Sequence, residues 1–123
     1  MKPIYPVTYL ISANELDLLK NDLKAYNIDS KQVLGAYTME NGVKVEEPAL
    51  VLVTNQETLI KSLAFKYNQE SVLKLDATRN AELLFTDGRT KYIGQFQAVS
   101  KEVALKSKGY TFDESQGVYY TCL

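Results

Sequence analysis

Arg79 and Arg89 are the only arginines in the chain, and each sits near an aspartate, Asp76 and Asp87, at either end of the run 81–96. A planar guanidinium suits phosphate or carboxylate, so the pair could hold an anionic or nucleotide-like small ligand together with Gln69 and Lys74. The weightier local reading is a salt bridge from each arginine to its neighbouring aspartate. There is no histidine, and Cys122 is the only cysteine. The commonest general base is therefore missing, and every Ser-His or Cys-His nucleophile arrangement with it. The usual zinc ligand sets cannot be assembled either, and Cys122 has no basic neighbour in sequence to activate it. Catalysis on this chain would rest on Asp, Glu, Lys or Tyr. No catalytic signature, metal site or cofactor is implied. The six glycines are scattered singly, which leaves no phosphate-cradling loop.

Nine tyrosines stand against four phenylalanines and no tryptophan. Tyrosine gives a rigid amphipathic surface at low entropic cost, which is why interfaces use it. Tyr110, Phe112, Tyr119 and Tyr120 concentrate near the C-terminus. In extended chain Tyr119 and Tyr120 point to opposite faces, so this segment either closes the core or forms a strip for a protein partner or self-association. The basic groove that should accompany base-stacking aromatics is missing, because fourteen basic residues are balanced by fifteen acidic ones. Nothing favours nucleic acid or an anionic membrane. No apolar run approaches the roughly 20 residues of a membrane span, and residues 1–6 lack the apolar stretch of a secretion signal, so a cytoplasmic protein is expected.

The elements that must carry these residues are organised around 49–75. Residues 49–53 are a continuous apolar strand, expected at the centre of a sheet. Thr54 and Glu57 stand at the spacing of a capping box, and Leu59, Ile60, Leu63, Ala64 and Tyr67 then recur along one helical face. Residues 71–75 form a second apolar strand. The same device occurs earlier: a strand from about Val7, a capping-box pair Ser12 and Glu15, and Leu16, Leu19, Leu23 and Tyr26 at helical steps. Asn41-Gly42, Asp87-Gly88-Arg89 and residues 113–117 mark hairpin turns, and Ser100 opens a short helix before Gly109. Pro48 predicts a bulge or bend. Leu52, Leu63 and Leu73 are expected together in the main core.

With 123 residues the chain fits one domain over 1–123. The order β-α-β-β-α-β followed by hairpins predicts an α+β fold, a mostly antiparallel sheet with two helices on one face and a ferredoxin-like first half. Glu47-Pro48 before an apolar strand and Tyr67-Asn68-Gln69-Glu70-Ser71-Val72 before the next resemble domain-of-unknown-function family 3293, a group of small bacterial and phage proteins. Ala49 replaces the family's Ser and Asn68 its Gly, and the likeness covers roughly residues 7–76. The resemblance implies one small domain and no established activity. Small size, the absence of catalytic signatures and the tyrosine-rich β surface point to a non-enzymatic interaction module, and the abundance of Lys, Asn, Tyr and Ile suggests a phage-encoded accessory or host-takeover protein. The alternative is a binder of a small anionic or nucleotide-like ligand.

Overall fold

A computed structural model describes residues 7–39 and 41–123. The elements run β1 (Val7–Ser12), α1 (Leu16–Ala25), β2 (Ser30–Thr38), β3 (Lys44–Thr54), α2 (Glu57–Lys66), β4 (Ser71–Leu75), β5 (Asn80–Phe85), β6 (Thr90–Val99), α3 (Lys101–Lys106), β7 (Gly109–Asp113) and β8 (Val118–Cys122). The eight strands close into a barrel in the order β1-β3-β2-β7-β8-β6-β5-β4, with every neighbouring pair antiparallel.

The open ferredoxin-like α+β sheet expected from the element order does not form. Its two edges would have been β2 and a strand of the later hairpins. Instead β7 pairs with β2, Leu34 opposite Phe112, while β8 pairs with β6, Phe96 opposite Cys122. The C-terminal hairpin thus joins the edges and leaves no strand without two neighbours. For the same reason β3 is not a distinguished central strand, because in a closed barrel every strand is internal.

Strand alternation sorts the apolar residues into an inside and an outside. Leu10, Val33, Ala49, Leu75, Ala81 and Phe96 fill the barrel, with Leu73, Ile93 and Tyr120 packed against them. On the outer face Tyr9, Ile11, Leu50, Leu52, Val72 and Leu84 are covered by Leu19 and Leu23 of α1 and by Ile60, Leu63 and Ala64 of α2. A smaller cluster brings Ala104 of α3 onto Ala36 and Tyr110. Leu52 and Leu63 share the helix-covered core, but Leu73 belongs to the interior, since its neighbours Val72 and Lys74 take the outer face.

Three local expectations are corrected. Neither capping box forms: α1 and α2 start from Glu15 and Gln56 without a side-chain cap, and the Thr54 hydroxyl accepts from the Gln56 N–H at 3.1 Å. Glu57 turns its carboxylate toward the sheet instead. β3 runs through Pro48 without a break, because its pairing with β1 begins only at Ala49, so Pro48 lies where β3 is flanked by β2 alone.

The β5–β6 ladder carries one irregularity. Between these strands the register shifts, so that Ala81 faces Gly94 while Glu82 faces Tyr92. The extra residue, Ile93, joins the interior cluster, and the bulge thereby aims Tyr92 outward opposite Glu82. Gly94 has φ +110°, and a Cβ there would lie 2.6 Å from the Leu123 carbonyl oxygen, so the bulge and the chain end require glycine. No helix among the described residues is long and apolar enough to cross a membrane.

Candidate functional site

The outer face that α1 and α2 cover ends along β4 and β5 at Val72 and Leu84, and beyond them the residues change character. Val72 and Leu84, opposite one another, are buried under the helices. One step further along the same strands stand Lys74 and Glu82, also opposite one another. Lys74 faces Tyr9 on β1, and Glu82 faces Tyr92 on β6. Tyr9, Lys74, Glu82 and Tyr92 therefore make one row across four strands, beginning under α2 and ending on open surface. Residues so opposed hold their Cβ atoms roughly 4.5–5.5 Å apart, so each side chain reaches the next.

At the covered end Glu57, the first residue of α2, points down onto the row. Its Oε1 accepts from the Tyr9 hydroxyl at 3.0 Å and from Lys74 Nζ at 2.7 Å. The bond from Lys74 holds the Glu57 carboxyl below its usual range, with the Tyr9 hydroxyl adding to it against the opposing effect of partial burial. Burial drives the Tyr9 phenol above its ordinary value, and the Glu57 carboxylate adds to that. Tyr9 is 1% exposed and stays a neutral donor at neutral pH.

At the open end Lys74, Asp76, Asn80, Glu82 and Tyr92 line a depression of about 480 Å³. That is within the range of small-molecule sites. Its rim is the loop between β4 and β5. Asp76 Oδ1 accepts from the backbone N–H groups of Thr78 and Asn80 and from the Thr78 hydroxyl, each at 2.9 Å, and Asp76 Oδ2 accepts from Asn80 Nδ2 at 3.0 Å. These bonds, led by that of the Asn80 amide, keep the Asp76 carboxyl below its usual range. The Tyr92 hydroxyl reaches Asn80 Oδ1 at 3.4 Å. Glu82 differs from the other wall residues in that no side-chain hydrogen bond or ion pair links it to another described residue. The depression thus offers one ammonium, one engaged and one unengaged carboxylate, an amide and a phenol. A second depression, of about 550 Å³, is lined by residues 27–31 and 51–53 and mixes apolar with polar groups.

Of the candidate ligand- and partner-binding residues read from the sequence, only Lys74 lines the first depression. Arg79 and Arg89 are not brought together: they flank the two ends of β5, a strand of six residues or about 20 Å. Arg89 Nε donates to Asp87 at 2.7 Å, while Arg79, at φ +65°, lies over the Tyr120 ring. The Gln69 side chain makes one long contact, 3.5 Å, from Nε2 to the Tyr67 carbonyl, while its backbone N–H donates to the Ala64 carbonyl at 2.8 Å. In the C-terminal hairpin Tyr110 is buried, and Tyr119 stacks on Phe112 with centroids 4.3 Å apart. Tyr120 turns to the other face and stacks on Phe96 at 5.0 Å. Tyr119 and Tyr120 are both half-buried. Tyr9, Glu57, Asp76, Asn80, Glu82 and Tyr92 were not singled out as site residues. The legible signal was a single charge inside each of two apolar strands, Lys74 within 71–75 and Glu82 within 80–85.

The fold and this surface define a small antiparallel barrel with an outward-facing depression lined by groups of both charges. The chain belongs to the S-adenosylmethionine lyase family, whose model matches residues 12–123. No curated protein matches it. The family assignment overturns the resemblance to domain-of-unknown-function family 3293, and with it the phage-encoded accessory role. It also overturns the non-enzymatic interaction module, since the family is named for an enzymatic reaction.

Proposed function

We propose that this protein cleaves S-adenosylmethionine without water, breaking a carbon–sulfur bond of the sulfonium at the surface made by β4, β5 and β6. The observation that carries this reading is Glu82, a carboxylate with no partner among the described residues, standing in the row between Lys74 and Tyr92. A sulfonium is a fixed cation that donates no hydrogen bond, and an unengaged carboxylate beside an aromatic ring is the group that receives such a charge. Asn80 and Tyr92 supply an amide and an aromatic face for the nucleoside. Lys74 supplies the cation for the substrate's carboxylate.

The missing histidine fits this chemistry. When the carbon–sulfur bond breaks, its electron pair goes to sulfur, the positive charge disappears, and a neutral thioether departs with no proton to be delivered. The carbon fragment completes its valence from within itself: an oxygen of its own carboxylate bonds to the carbon that sulfur leaves and closes a ring, so no base is needed. Positive charge is lost on the way to the transition state, so the site's main task is to seat the substrate and exclude competing geometries. A substrate of cytoplasmic metabolism also keeps the protein in the cytoplasm.

The test is incubation of the purified protein with S-adenosylmethionine and resolution of the products by mass spectrometry. The expected result is methylthioadenosine, formed in equal amount with a four-carbon amino-acid fragment and well above the rate of a protein-free control. Unchanged substrate, or adenosylhomocysteine from methyl transfer, would overturn the reading.

A further inference from the structure

Resting on that assignment, we infer that the Glu57–Lys74 pair, set in place by Tyr9, is the subsite that reads the zwitterionic amino-acid end of the substrate. Lys74 Nζ spends one donor on Glu57 Oε1, which leaves two of its three hydrogens for a ligand. It is the one cationic residue in the wall of the depression. Glu57 Oε1 is taken by both Lys74 and Tyr9, while no described residue donates to Oε2. The pair therefore presents, side by side, two unused donors and one unused anionic acceptor, the complement of an α-carboxylate next to an α-ammonium.

The spacing along the row agrees. Carboxylate and sulfur in the substrate are separated by three carbons, roughly 5 Å at standard bond lengths. Lys74 and Glu82 are directly opposed on neighbouring strands, so a ligand of that length can reach both side chains. A ligand laid along the row puts its carboxylate at Lys74, its sulfonium at Glu82 and its nucleoside toward Asn80 and Tyr92. Tyr9 is too deeply buried to touch it, and acts as a positioning residue. Its hydroxyl fixes Glu57, and Glu57 fixes the ammonium that the carboxylate meets.

Calorimetric binding of two probes isolates this subsite from turnover. Adenosylhomocysteine carries the zwitterion but an uncharged sulfur, whereas methylthioadenosine has the nucleoside and thioether without the amino acid. The wild-type protein is expected to bind adenosylhomocysteine at least about tenfold more tightly, the lower bound for one charge-assisted hydrogen bond. Lys74→Met should reduce the preference to less than about threefold with the affinity for methylthioadenosine unchanged, and Lys74→Arg, which keeps the charge, should retain most of it. Tyr9→Phe should lower the preference to an intermediate value, again without changing the affinity for methylthioadenosine, in a protein whose melting curve shows it folded. A tenfold preference surviving in Lys74→Met would overturn the inference, as would equal weakening of both probes in that variant. A wild-type protein that binds methylthioadenosine but shows no preference would also overturn it, with the site assignment left standing. Binding of neither probe would overturn the assignment of the site and this subsite with it.

Discussion

Glu82→Gln is expected to raise KM for S-adenosylmethionine by about 10- to 150-fold while changing kcat by less than about threefold. The first figure follows from roughly 1.5–3 kcal/mol for an interaction with a charged group in a partly enclosed site. The second follows from the direction of charge movement. A carboxylate that faces the sulfonium stabilises the bound substrate at least as much as a transition state in which that charge is fading, so its loss weakens binding and leaves the bond-breaking step alone. Because Glu82 bonds to no other described residue, its amide variant leaves no partner stranded, and the melting temperature should stay within a degree or two of wild type. Steady-state kinetics separate the roles: a fall in kcat of a hundredfold or more at unchanged KM would mean that Glu82 takes a proton in the reaction, and would refute the binding role.

The second large effect concerns the scaffold. Leu50 has no exposed surface and lies on the outer face of β3 in the cluster that α1 and α2 cover. Leu50→Ala should cost about 2–5 kcal/mol, because the helices are tied to the strands on both sides and can collapse only partly into the vacated space. Val53 lies on the same strand with more than half its surface exposed, and Val53→Ala should stay within about 0.5 kcal/mol. Urea unfolding followed by circular dichroism measures both. Equal midpoints for the two variants would contradict the placement of the core beneath the helices.

Local features of the chain were legible where a short-range rule applies. Gly42 and Gly88 take positive φ in the turns read from Asn41-Gly42 and Asp87-Gly88, and Ser100 caps α3 by accepting from the Val103 N–H. Of the stripes read at helical spacing, Leu19, Leu23, Ile60, Leu63, Ala64 and Tyr67 are buried and Leu16 and Leu59 half-buried, whereas Tyr26, past the end of α1, is exposed. Closure of the sheet was not legible, because it depends on β7 and β8 reaching β2 and β6 across the molecule, and no local pattern distinguishes a hairpin that ends a sheet from one that joins its edges. The site was hidden for a related reason. Tyr9, Lys74, Glu82 and Tyr92 belong to four strands and become neighbours only through register, and the last of them depends on a one-residue bulge. Glu57 was masked by its spacing from Thr54, which fits a helix cap as well as it fits a carboxylate aimed at the sheet. The arginines have the chemistry of an anion site, yet β5 holds them apart.

The measurement that bears most directly on the site is a titration of isotopically labelled protein with methylthioadenosine, the expected thioether product, followed by amide chemical shifts. The β4–β5–β6 site predicts saturable shifts centred on Lys74, Asp76, Asn80, Glu82 and Tyr92, with the second depression at residues 27–31 and 51–53 unperturbed. Shifts confined to that second depression, with the row from Lys74 to Tyr92 silent, would contradict it.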